Sequence, residues 1–101
     1  SARLGFSPPV PDLSGSGFEL VGGRIDVVGG QRVAVIVYRR RQHMIDVLVR
    51  PARGETPSVR SRDGLNLNHF TQSGMSFWLI SDLSSNELGD LARLLVASAG
   101  P

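Results

Sequence analysis

The chain has 101 residues, of which 41% are hydrophobic and 20% charged, with a formal net charge of +2. That length supports one core, burying roughly two thirds of the surface its unfolded form exposes, and the composition excludes a disordered tail. A sequence pI of 10.4 suggests a nucleic-acid binder, but all 11 basic residues are arginine and none titrates near neutrality, so the small net charge is the better measure of the field.

The opening "GFSPPVPDLSGSG" is crowded with proline, glycine and serine, a composition that disfavours both helix and ladder pairing. Residues 1–17 are therefore expected to form an extended arm, and residues 18–101 a single domain. Three apolar runs follow: Phe18 to Val21, Arg24 to Val28, and Arg32 to Arg39. Glycine pairs at Gly22–Gly23 and Gly29–Gly30 separate them and predict tight turns of a meander, because glycine accepts the positive φ angles such turns need.

"VYRRRQHMIDVLV", residues 37–49, sets three arginines between two β-branched runs, Val33 to Tyr38 and His43 to Val49, and so predicts a hairpin. With no glycine or asparagine at Arg40–Arg41, a loop longer than two residues, built on a type I turn, is expected. Residues 50–64 carry two prolines, two glycines and four arginines without periodicity and predict a surface loop. "LNLNHFTQ" at 65–72 and "MSFWLIS" at 75–81 predict two more strands, joined by a turn at Ser73–Gly74.

In "DLSSNELGDLARLLVASAG" the apolar period changes from two to about 3.6, with Leu88, Leu91, Ala92 and Leu95 on one face. Ser84 and Glu87 have capping-box spacing, and Leu83 with Leu88 fits the accompanying hydrophobic staple. The expected architecture is α+β: a mainly antiparallel meander of about six strands with the C-terminal helix packed on one face. The run 33–38 is apolar at every position, so both of its sides need cover, and one helix covers only one. The proline-rich arm, a second copy or a partner is expected on the other side.

Candidate chemistry is sparse. Without cysteine there is no disulfide framework, thiolate metal site or thiol nucleophile. The longest apolar run, "VAVIVY", is far short of the ~20 residues that span a bilayer, so the segment is expected to be soluble. Its start at "SARLGF" and stop at "ASAGP" suit a fragment of something longer. His43 and His69 lack a neighbour at metal-ligand spacing, and no serine sits in a G-x-S-x-G elbow. In "GSGFELVGG" the third glycine of a dinucleotide loop is replaced by Leu20. No catalytic residue, metal or cofactor is assigned, and the chain is not expected to be an enzyme.

Arg39, Arg40, Arg41, Arg50, Arg53, Arg60 and Arg62 cluster in one quarter of the chain. If the hairpin tip and the 50–64 loop converge, they form a positive patch for phosphate, anionic headgroups or an acidic protein. Otherwise the arginines keep a hairpin tip soluble and blunt edge pairing, and serine at positions 39–41 leaves the melting temperature little changed. No aromatic residue occurs from 39 to 62, which weighs against nucleic acid, where stacking is usual. Trp78, among apolar neighbours, is expected in the core or at an interface.

"FSPPVPDL", "GFELVGGRIDVVGGQRVAVIVYRRRQHMIDVLV" and "GLNLNHFTQSGMSFWLISDLSSNELGDLARLL" together resemble, over nearly the whole chain and in the same order, the extracytoplasmic half of bacterial single-pass transmembrane anti-sigma factors. The most specific parts are "LVGGR", "VYRRRQH", the "GM" turn before Phe77 and Trp78, and "SDL" before the helix. Phe70 and Arg50 stand where the family more often carries tryptophan, departures that bear on partner identity.

The resemblance implies a periplasmic sensory domain, non-catalytic, of an inner-membrane protein tethered through the arm. A separate cytoplasmic segment, often with a His/Cys zinc motif, would hold an extracytoplasmic-function sigma factor inactive. It implies a protein partner or homodimer through the sheet face and no direct contact with nucleic acid. The candidate partner surface is Arg39, Arg40, Arg41, Arg50, Phe70 and Trp78. The alternative is a small-molecule or lipid-binding module using the second apolar face of the sheet.

Overall fold

The structure, a computed structural model, describes residues 4–99; the outer ends of the expected arm and domain, residues 1–3 and 100–101, lie outside the described residues. A short 3₁₀ turn (Ser14–Ser16) precedes six strands, β1 (Glu19–Val28), β2 (Gln31–Arg40), β3 (His43–Pro51), β4 (Ser58–Arg62), β5 (Leu65–Gln72) and β6 (Met75–Ser81), and one helix, α1 (Ser85–Ala99). All neighbours are antiparallel, in the order β1-β2-β3-β6-β5-β4. Two three-stranded meanders thus meet along β3 and β6, giving the expected α+β class.

The strand count agrees with expectation although two strands do not. Gly22–Gly23 is not a turn: β1 runs through it, with a register shift between Leu20 and Gly22 that leaves Val21 unpaired on the partner strand, a β-bulge of the kind glycine accommodates. The 50–64 stretch is not all loop, since Ser58 to Arg62 pairs with β5. Its polar, exposed side chains carry no periodicity because an edge strand with little burial has none to show.

Turn chemistry accounts for the hairpins. Gly29–Gly30, Asp63–Gly64 and Ser73–Gly74 have positive φ at both central positions, the type I′ combination that matches strand twist. The β2–β3 link corrects another expectation: Arg40 pairs with His43, so only Arg41 and Gln42 connect the strands. Arg41 takes φ 54°, a conformation costly for a non-glycine residue. Its guanidinium donates to both carboxylate oxygens of Glu87 on α1, at 3.0 Å each, and this tertiary clasp holds the tight turn.

One face of the sheet carries the main core. Ala34, Ile36 and Tyr38 of β2, Ile45, Val47 and Val49 of β3, and Phe77 and Leu79 of β6 pack there with Leu88, Leu91, Ala92 and Leu95 of α1. The helix lies over β5 and β6. Its start is as the sequence predicts at one point: the Glu87 amide donates to Ser84 Oγ at 3.2 Å, and Leu83 and Leu88 are both buried. The Glu87 carboxylate, however, turns to the arginines instead of back to the cap.

The arm covers the rest of this same face, not the opposite one. Leu13 and Phe18 are buried in the core, Leu4 and Phe6 pack against it, and the fully buried Tyr38 donates its hydroxyl to the Pro11 carbonyl at 2.8 Å. Burial first, and the Asp12 charge second, push the Tyr38 hydroxyl up to about 12.

On the second face, Val33 and Val35 are only 3% and 2% exposed with no helix above them. Curvature supplies part of the cover: Val28 and Gly29, at the β1–β2 turn, line a common hollow with Leu67 of β5 and Ile80 of β6. The β3–β4 link supplies more, as Glu55 reaches back to accept from Ser76 Oγ at 2.9 Å and to pair with Arg50.

The helix-to-sheet contact should dominate stability. Leu91→Ala, at a fully buried position, is expected to cost about 2–5 kcal/mol in urea denaturation, whereas Val59→Thr on the exposed edge strand should stay within about 0.5 kcal/mol of wild type.

Candidate functional site

The six candidate residues fall in three separate places. Arg39, Arg40 and Arg41 sit at the β2–β3 end, whereas Arg50 lies at the far end of β3. The tip and the 50–64 link therefore do not converge, and the positive patch that depended on their convergence is not assembled. Each tip arginine instead meets a carboxylate. Arg39 donates to Glu19 across the β1–β2 pair at 2.6 Å, Arg41 clasps Glu87, and Arg40 Nε lies 3.8 Å from the same carboxylate.

Arg40 also caps the core, its guanidinium carbon 4.5 Å from the centroid of the buried Phe18 ring. Its Nη1 is buried and has no hydrogen-bond partner. Hydrogen bonds from Arg41, followed by the charges of Arg41, Arg40 and His43, hold the Glu87 carboxyl below its ordinary value against the opposing effect of desolvation. His43 Nδ1 lies 2.8 Å from Asp82 Oδ1 beside this group. The tip is thus a structural clasp between the hairpin and the first turn of α1.

Phe70 belongs to the helix side, its ring stacked on Phe77 with centroids 4.7 Å apart and planes 7° from parallel. Trp78 faces the other way. β6 lies between β3 and β5, and Trp78 is approached from both: His69 of β5 stacks on it at 4.4 Å and 10°, and the Arg50 guanidinium of β3 sits 4.6 Å from its centroid. His69 is 6% exposed and its Nε2 is buried without a hydrogen-bond partner.

Beside this stack the second face opens into a cleft of about 470 Å³, within the roughly 300–1,000 Å³ range of small-ligand sites. Val28, Val33, Leu48, Leu67, Trp78 and Ile80 form apolar walls, and Arg50 and Arg53 add charge. Arg50 is paired with Glu55. Arg53 gives Glu55 its backbone amide at 2.7 Å, and among the described residues no carboxylate lies in salt-bridge range of its guanidinium. The same two arginines border a neighbouring hollow that includes Leu4 and Phe6 of the arm.

Of the candidates, only Arg50 and Trp78 share this site. Leu48, Val33 and Glu55 were not singled out by sequence reasoning. The signal for Val33 was the unbroken apolar strand; Glu55 gave none beyond being one of two carboxylates, with Asp63, in the arginine-rich 50–64 stretch, since its side-chain partners lie on β3 and β6. Among the described residues no group of three or more His, Asp or Glu is placed to hold a metal ion, and no helix is long and apolar enough to cross a membrane. No family model, curated protein or solved structure matches this chain.

The Glu55 carboxyl is lowered from 4.5 to about 2, chiefly by the Arg53 amide, with its own amide, Ser76 and Arg50 adding to it and desolvation opposing. A carboxyl lowered on folding stabilises the fold above its unfolded value and ceases to do so as pH falls through the folded one. Glu55→Gln should therefore lower the melting temperature at neutral pH, the deficit shrinking between about 4.5 and about 2 in a pH series of thermal scans.

The serine replacements at the tip are now expected to act unequally. Arg39→Ser, which removes an exposed pair, should be nearly silent. Arg41→Ser, which removes the clasp on Glu87, should lower the melting temperature in the same scans.

Proposed function

We propose that this chain is a non-catalytic periplasmic sensory domain of a bacterial single-pass transmembrane anti-sigma factor, and that it receives its signal on the second face of the sheet. The observation that carries the sensory reading is the cleft: an apolar hollow walled by Leu48, Trp78 and Ile80, with Arg50 shared between it and the hollow that holds the arm. The resemblance of "LVGGR", "VYRRRQH" and "SDL" supports the family.

In this reading the arm is the connection to the membrane. An occupant drawing on Arg50 or Arg53 competes with Glu55 for them, and Glu55 is tied to Ser76 on β6. Leu4 and Phe6 border the same arginines, so rearrangement there reaches the arm directly. The sigma factor is held by the cytoplasmic segment, and neither it nor nucleic acid contacts this domain. The signal partner, a protein or a second copy, lies on the sheet face.

A second reading is favoured by the size and lining of the cleft: a small-molecule or lipid-binding module, with the apolar part on Val33, Leu48 and Ile80 and an anionic group at Arg53. In native mass spectrometry of the purified chain, a retained lipid that Leu48→Arg abolishes would favour this second reading.

The regulatory reading is tested in cells carrying the full-length protein and a reporter driven by the cognate sigma factor. Leu48→Arg, with an unaltered far-UV spectrum, should shift reporter output several-fold or abolish its response to inducing stress. Output and response equal to wild type would overturn the proposal.

A further inference from the structure

The two edges of the sheet differ in kind. The β4 edge is five residues long, follows Pro57, and carries Arg60 and Arg62: short, charged edges are how sheets avoid pairing with other chains. The β1 edge is ten residues long and exposed at every position. It holds Leu20, Val21, Ile25, Val27 and Val28 among the exposed large hydrophobic residues, with Val27 at 63% exposure. From Gly22 to Val28 it runs without a register shift and contains no proline.

The outward groups of that edge are identifiable. The two-residue turn at Gly29–Gly30 makes Val28 and Gln31 its flanking pair, so hydrogen bonds to β2 fall on Val28, Asp26 and Arg24, and the amides and carbonyls of Val27, Ile25 and Gly23 point away from the sheet. The Val27 amide agrees with this: it donates sideways, to Asp26 Oδ1 at 2.8 Å.

We infer that β1 pairs with β1 of a second copy, antiparallel and centred on Ile25, to make one continuous sheet. A two-fold axis normal to the sheet keeps each face with its own kind, so only registers centred on a residue are allowed. Centring on Arg24 sets that arginine against itself, and centring on Asp26 does the same for the aspartate; like charges directly opposite are destabilising.

Centring on Ile25 places Arg24 opposite the partner's Asp26 on both sides of the axis. These are non-hydrogen-bonded positions, where facing side chains come closest. The other face then sets Ile25 on its counterpart and Val27 over the partner's Gly23, which has no side chain to clash. In the single chain Arg24 and Asp26 make only a loose, exposed contact of 3.7 Å. Pairing moves the Val27 amide to the carbonyl of the partner's Gly23 and frees the Asp26 carboxylate for the partner's Arg24. This inference does not depend on the anti-sigma reading.

The experiment is sedimentation of the 101-residue chain over a concentration series. Wild type should move from monomer to dimer, Arg24→Asp and Asp26→Arg should each be monomeric, and the double exchange R24D/D26R should restore the dimer. Because the chain lacks cysteine, Ile25→Cys adds a single thiol, with a partner Cα at about 5.5 Å in a hydrogen-bonded pair, inside the disulfide range. Oxidation should cross-link it to a dimer, while Val59→Cys on the other edge stays monomeric. A folded wild type that is monomeric up to its solubility limit, single reversals that still dimerise, or a double exchange that fails to restore the dimer would each overturn the inference.

Discussion

A curved six-stranded sheet whose second strand, β2, is apolar on both sides has more surface to cover than one helix of four turns can reach. The rest of the architecture answers that constraint. α1 takes the β5–β6 half of one face, and the proline-rich arm takes the β2–β3 half, with Leu13 and Phe18 in the core and Tyr38 tied to Pro11. The arm is therefore part of the fold, even though its composition disfavours regular secondary structure and only a short 3₁₀ turn forms in it.

Two carboxylates, each shared among several donors, hold these layers in place. Glu87 joins the first turn of α1 to the β2–β3 hairpin through Arg41 and Arg40. Glu55 folds the β3–β4 link onto the second face through Arg50, Ser76 and the Arg53 amide. Both carboxyls titrate below their ordinary values because their donors converge. An arginine-rich chain uses most of its charge internally in this way, so a high pI carries little information about partners. Arg53, which borders both the cleft and the hollow beside the arm, has no carboxylate in salt-bridge range among the described residues.

The second face combines local self-cover with a remaining hollow. Curvature and the Glu55 link bury Val33, Val35 and His69, and the wall of Leu48, Leu67, Trp78 and Ile80 is left open. The result is an apolar concavity of about 470 Å³ bordered by Arg50 and Arg53, the size of hollow in which small ligands are commonly held. It sits on the opposite face from α1, apart from the helix-side core, while Leu4 and Phe6 of the arm lie within reach of the same arginines.

Local sequence determined much of this protein: the helix from Ser84 onward, because capping and a 3.6-residue period are short-range signals; two hairpin turns, at Gly29–Gly30 and Ser73–Gly74, because each holds a glycine that accepts positive φ; and the α+β class that follows from them. Only the tertiary structure decided what depended on distant partners. Gly22–Gly23 became a bulge because β2 continues alongside it, Arg41 entered a tight turn because Glu87 holds it, and Ser58–Arg62 became a strand because β5 offers an open edge. The arginines at 39–41 and at 50–53 parted because β3 lies extended between them, a separation that adjacency in sequence conceals. Beyond the unbroken apolar run of β2, the cleft had no local signature, since its walls come from five strands and meet only when the sheet curls.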